Sequence, residues 1–198
     1  MYFMFLSLVF PQRLHNTVFR ENAGNMIAVL LGILFALPFR NSVSPDSLSY
    51  VADAVRNVFA FGDSYSFISA LLFVFLPTLT MILLAFTVFG RHCIPAVFFF
   101  YAFFRCFVTC VLLRTFGAFG IVYALALYGL SDLVLLPGLC ITACLSGELS
   151  ALIMKSCRGG GRTDLRKYTQ TIMCGLIFPL IAATVSYISV PLFSAFIN

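Results

Sequence analysis

Polar and apolar positions along this chain fall in blocks instead of alternating at the period of a soluble helix or strand. The longest uncharged block, 64–90, reads SYSFISALLFVFLPTLTMILLAFTVFG. It exceeds the roughly 20 residues that cross a bilayer core, and it lacks the polar stripe that a soluble core helix keeps toward water. The block predicts a membrane span, kinked at Pro77, where one backbone donor is missing. A shorter block, 22–39, predicts the first span, extended at its ends by snorkelling of Arg20 or Arg40. Gly24 and Gly32 sit on a similar face of it and are expected to seat a neighbouring helix. Block 93–113, CIPAVFFFYAFFRCFVTCVLL, predicts a third span with Arg105 in its middle. The last block, 172–197, contains Pro179 and Pro191 and follows a helix start capped by Thr163. The opening ten residues are too short to span and predict an interfacial segment.

Two regions break this rhythm. In 40–63, Leu48, Val51, Ala52, Val55, Val58 and Phe59 recur at helical spacing among Asp46, Asp53, Arg56 and Asn57. Ser44 before Pro45 looks like a helix start, and Gly62 like its end. A short amphipathic connector helix over 45–61 is expected, docked on the protein's own spans. Region 115–154 is apolar but too long for one crossing, because a continuous helix would be about 60 Å against a core of about 30 Å. Pro137 and Gly138 are the expected break, with Asp132 just before it. Two short crossings, or one crossing with a re-entrant half-helix, both satisfy the pattern.

Composition agrees with the blocks. The chain of 198 residues is 62% hydrophobic and only 10% charged, with a mean hydropathy of +1.05. Soluble domains carry about 25% charge. The result is an all-α, polytopic transmembrane bundle forming a single integral-membrane domain over 1–198. The net charge of +5 points to anionic lipid headgroups and not to nucleic acid. Lys155, Arg158, Arg162, Arg166 and Lys167 supply five of the twelve basic residues and mark a cytoplasmic loop. Charge counting leaves two schemes equal: five net crossings with the amino terminus inside, or six with it outside. Five is the expectation adopted.

Candidate chemistry is sparse. Arg105, Asp132 and Glu148 are ionisable residues inside apolar blocks, where a charge normally faces protein or a water-filled cavity. Arg105 and Asp132 can pair if they lie at similar depth. The seven cysteines lie mostly within the apolar blocks and read as free thiols. Cys106 with Cys110, and Cys140 with Cys144, are i,i+4 pairs, but they lack zinc-site spacing and an accompanying histidine. The glycine run 159–161 has no preceding strand and no following Lys-Ser or Lys-Thr, so it is not a phosphate-binding loop. No motif calls for a cofactor, a metal or an enzymatic site.

Several of these marks come in a known order. Asn22 precedes the first span and an amphipathic connector precedes the second. A glycine turn at Gly90, then Pro95, Arg105, the run Gly117-Ala118-Phe119-Gly120 and Pro137 follow. In this order the chain, from its first span to Met154, resembles the stage II sporulation protein M family of small bacterial membrane proteins. The resemblance implies a non-enzymatic scaffold in the cytoplasmic (inner) membrane. The family member works with a lytic peptidoglycan hydrolase and a second membrane protein during engulfment of the forespore. The competing expectation, from the intramembrane charges and the broken element, is a small transporter, channel or membrane subunit of an export complex.

Overall fold

A computed structural model of the chain describes residues 12–39, 42–60, 67–157 and 165–197. Among them all regular structure is helical: α1 (Gln12–Phe39), α2 (Pro45–Ala60), α3 (Phe67–Ala85), α4 (Gly90–Phe116), α5 (Phe119–Ala124), a single π turn (Leu125–Gly129), α6 (Leu130–Cys157) and α7 (Leu165–Ile197). The expected interfacial segment at the amino terminus and the cap at Thr163 lie outside the described residues. Three stretches are long and apolar enough to cross a bilayer: α4, the continuous run Phe119–Cys157, and Thr169–Phe193 within α7. Ala23–Phe39 and Ala70–Ala85 are shorter apolar helices. The protein is a multi-pass, all-α membrane bundle.

Side-chain pairings give the direction of each helix. Phe35 meets Phe99 and Phe39 meets Phe103 edge-on, with ring centroids 5.8 and 5.7 Å apart, so α1 and α4 run parallel. The Phe67 ring meets Tyr187 near one end of the α3–α7 pair, and Ile82 abuts Gly175 near the other, so these helices are antiparallel. Asp132 lies beside Arg105 and Ser150 beside Arg91, so α6 returns antiparallel to α4. One end of the bundle therefore holds the first half of α1, the α3–α4 turn, Arg91 and Lys155. The opposite end holds α2, the Gly117 turn and the last turns of α7.

Two apolar clusters hold these helices together. The central one joins Val74 and Met81 of α3, Phe98 of α4, Leu135 and Leu139 of α6, and Ala182 of α7. In lipid, such packing gains dispersion contacts more than hydrophobic transfer, because the surrounding tails are equally apolar. The second cluster lies under α2. Val55 is buried there against Leu112, Ala124, Ala126 and Val190, while Asp53, Arg56 and Asn57 stay exposed. The Ser44 hydroxyl accepts the Ser47 amide at 3.3 Å, and Asp46 adds charge to the first turn. Arg114 donates to the Val43 carbonyl at 3.0 Å, tying the start of this connector to the end of α4.

The expected break at Pro137 and Gly138 is corrected: α6 runs through both as one helix from Leu130 to Cys157. The turn falls earlier, at Gly117, which takes φ +60° where an L side chain would be strained. Length is resolved differently from the expectation. The 39 residues from Phe119 to Cys157 extend about 58 Å, and the last of them continue beyond Ser150, the level of the α3–α4 turn. Gly138 serves packing, since a Cβ there would run into the Phe178 Cβ on α7. Of the two glycines on α1, Gly32 is pressed against the α4 backbone, whereas nothing lies within 4 Å of a Cβ at Gly24.

Candidate functional site: an intramembrane Arg–Asp–Tyr cluster

The polar cluster inside the apolar bundle forms where α4 faces the π turn and the start of α6. On α4, Tyr101, Arg105 and Thr109 follow each other at i, i+4 and i+8 and share one face. Arg105 sits about 22 Å along the helix from Gly90 and about 16 Å before Phe116, deep within the span. Opposite it, Asp132 places Oδ1 3.2 Å from Arg105 Nη2. The Tyr101 hydroxyl donates to the same oxygen at 2.6 Å. The guanidinium lies over two rings, 4.7 Å from the Tyr128 centroid and 5.3 Å from that of Tyr101. Thr109 and Tyr128 share a short hydroxyl–hydroxyl bond, and Thr109 also donates to the Arg105 carbonyl at 2.8 Å. Charge, hydrogen bonds and cation–π contacts thus converge on Arg105.

The π turn carries Tyr128 and lies just before α6; Tyr128 and Asp132, four residues apart, both face α4. A π turn within a membrane span disturbs the helical ladder, and backbone carbonyls there need partners. Three serines supply them. Ser189 donates to the Ala126 carbonyl at 2.7 Å, Ser186 to Leu127 at 2.9 Å, and Ser131 to Tyr128 at 2.9 Å. Ser186 and Ser189 come from α7, so the irregular segment is held in place by a neighbouring helix. A fourth serine does similar work at the other end: Ser150 donates to Thr87 at 2.7 Å and accepts from the Arg91 amide at 3.2 Å.

Two cavities meet at Arg105. One, of about 450 Å³, lies between α3 and α4; the other, of about 410 Å³, lies between α1, α4 and α6 and reaches both Arg105 and Asp132. The pair keeps 20% and 16% side-chain exposure.

The remaining sequence candidates are dispersed. Lys155 is exposed at the end of α6. Arg158 and Arg162 lie outside the described residues, and for Arg166 and Lys167 only the helical backbone is described. Glu148 is half-buried near the opposite end of α6 from Asp132. Cys110 and Cys144 are buried and Cys106 and Cys140 half-buried; among the described residues no group of three or more metal-capable side chains occurs. Tyr101, Tyr128 and Thr109 were not singled out from sequence. Their signal was available: each lies four residues from Arg105 or Asp132.

Comparison with known proteins adds no relative. No family model, no curated protein and no solved structure matches the chain.

Proposed function

We propose that the chain is a non-enzymatic scaffold of the cytoplasmic membrane that holds partner proteins for cell-envelope remodelling. The observation that carries this reading is the closure of the Arg105–Asp132 pair upon its own bundle. Its charges meet each other, Tyr101 and two aromatic faces, and the helices bearing them run through mid-depth without a gap. Such a cluster clamps α4 to α6. The link to peptidoglycan hydrolysis rests on the resemblance to the stage II sporulation protein M family alone.

Five crossings with the amino terminus inside belong to the same proposal. Its support is the run of the helices, which brings Arg91 and Lys155 to one end and Arg56 and Arg114 to the other. The end bearing the Lys155 loop is the cytoplasmic one by the positive-inside rule.

A second reading, a small transporter or membrane subunit of an export complex, is favoured by the 410 Å³ cavity that reaches both charges. Affinity purification from the native membrane separates the two. Recovery of an envelope hydrolase and other membrane proteins in stable stoichiometry is the expected result. Recovery of the chain alone, together with solute flux in reconstituted vesicles that Asp132→Ala abolishes, would replace the scaffold by the transporter.

A further inference from the structure

Cys106 and Cys110 form a dithiol whose chemistry the rest of the bundle does not use. They lie four residues apart on α4, a spacing that puts both on one face with Cβ atoms about 5–6 Å apart. Their thiols touch each other, and Cys106 Sγ also lies 3.8 Å from the Ile33 carbonyl oxygen of α1. Neither is in a disulfide. Both line the cavity of about 410 Å³ between α1, α4 and α6. Cys140 and Cys144 share the spacing but not the setting. Cys140 packs against the central apolar cluster, and Cys144 lines a separate space of about 120 Å³ with Asn25 and Arg91.

Two sulfurs facing one space select a narrow class of ligand. Calcium and magnesium take six or more oxygens, and structural zinc takes four ligands. Among the described residues no third His, Cys, Asp or Glu joins the pair to complete such a set. Soft ions prefer thiolate sulfur, and those of d10 configuration are satisfied by two sulfurs in line. The span between the two Cβ atoms leaves room for one such ion between the sulfurs. Charge then separates the candidates. Arg105 and Asp132, in the wall of the same cavity, already balance each other. A monovalent ion on two thiolates leaves one negative charge at a depth where charge is costly, whereas a divalent ion leaves none.

We propose that Cys106 and Cys110 form a two-coordinate site for a soft divalent cation of the mercuric type. Binding breaks both S–H bonds and makes two metal–sulfur bonds. The two protons pass to the medium, and neither sulfur nor metal changes oxidation state. The site stands independently of the scaffold role.

The test uses the full chain, reduced, in phosphatidylcholine nanodiscs. It is loaded with Hg(II) in excess glutathione, a monothiol that strips ion held by a single cysteine, and then desalted. Mercury is expected to remain bound, with two protons released for each ion, and Zn(II) treated in the same way is expected to be lost. Cys106→Ser and Cys110→Ser should each weaken retention at least about a hundredfold, because the second ligand is no longer intramolecular. Cys106→Ala and Cys110→Ala should give the same loss, which separates it from any effect of a serine hydroxyl on the helix. Cys140→Ser combined with Cys144→Ser is the matched control and should keep the ion. The proposal is overturned if the single variants hold mercury as tightly as the parent, if zinc stays bound as well, or if the ion is lost with Cys140 and Cys144 and not with Cys106 and Cys110.

Discussion

Asp132 is the residue on which the cluster depends most. It accepts from Tyr101 and pairs with Arg105 through a single oxygen, in a part of the molecule where water does not compensate. Removing one partner of such a pair strands the other, whereas removing both with apolar replacements is often neutral. Asp132→Ala is therefore expected to cost roughly 3 kcal/mol, or about 6–12 °C in melting temperature, through the stranded guanidinium. Arg105→Leu with Asp132→Leu should recover most of that loss. Thermal unfolding of the purified variants checks both. A double variant as unstable as Asp132→Ala would mean that the pair itself stabilises the bundle. Sequence identified Arg105 and Asp132, because a charge in an apolar block stands out against its neighbours. It passed over Tyr101, Tyr128 and Thr109, because aromatic and hydroxyl residues are ordinary in such blocks and only their i,i+4 register with the charges marks them.

The run from Phe119 to Cys157 departs most from its sequence pattern. Proline and glycine signalled a break at 137–138, yet the ladder is disturbed at 125–129, where no proline occurs. The reason lies on a different helix. Ser186 and Ser189 of α7 reach the carbonyls of the π turn, and no propensity within 119–157 encodes that help. Replacing both serines by alanine should cost about 1–2 kcal/mol, since membrane hydrogen bonds average about 0.6 kcal/mol each. Amide hydrogen exchange should rise at Leu125–Gly129 before it rises elsewhere on the helix. Unchanged protection there would show that the π turn holds without α7. Gly138 is tested separately. Gly138→Ala should destabilise by about 1–3 kcal/mol through contact with Phe178, and Phe178→Ala should relieve little of it, because the Phe178 Cβ that makes the closest approach remains. A Gly138→Ala variant as stable as the parent would show that α6 and α7 can part at no cost.

The whole molecule is arranged as two ends of unlike character. Arg91 and Lys155 lie at one end, with the exposed thiols of Cys93 and Cys157. The α2 helix closes the other end with its valines turned inward and Asp46, Asp53 and Arg56 turned out. In a cysteine-free background, Ser47→Cys should react with an impermeant maleimide in intact cells, and Lys155→Cys only after permeabilisation. Labelling in the reverse order would invert the membrane orientation; labelling of both from outside would end the five-crossing arrangement.

Sequence by itself determined the solvent and the fold class. Uncharged blocks of span length leave the backbone no option but helix in lipid, whatever the neighbours do. It also determined the α2 cap, because Ser44, Pro45 and the valine spacing act within one turn or one face. Tertiary structure decided where the long fourth block is irregular, that Gly138 is a contact and not a hinge, and which side chains gather around Arg105. Those outcomes depend on groups far apart in the chain: Ser189 on Ala126, Phe178 on Gly138, Tyr101 on Asp132. A linear pattern reports the period of each helix. It does not report which faces meet, and in a bundle this apolar nearly every face is able to meet another.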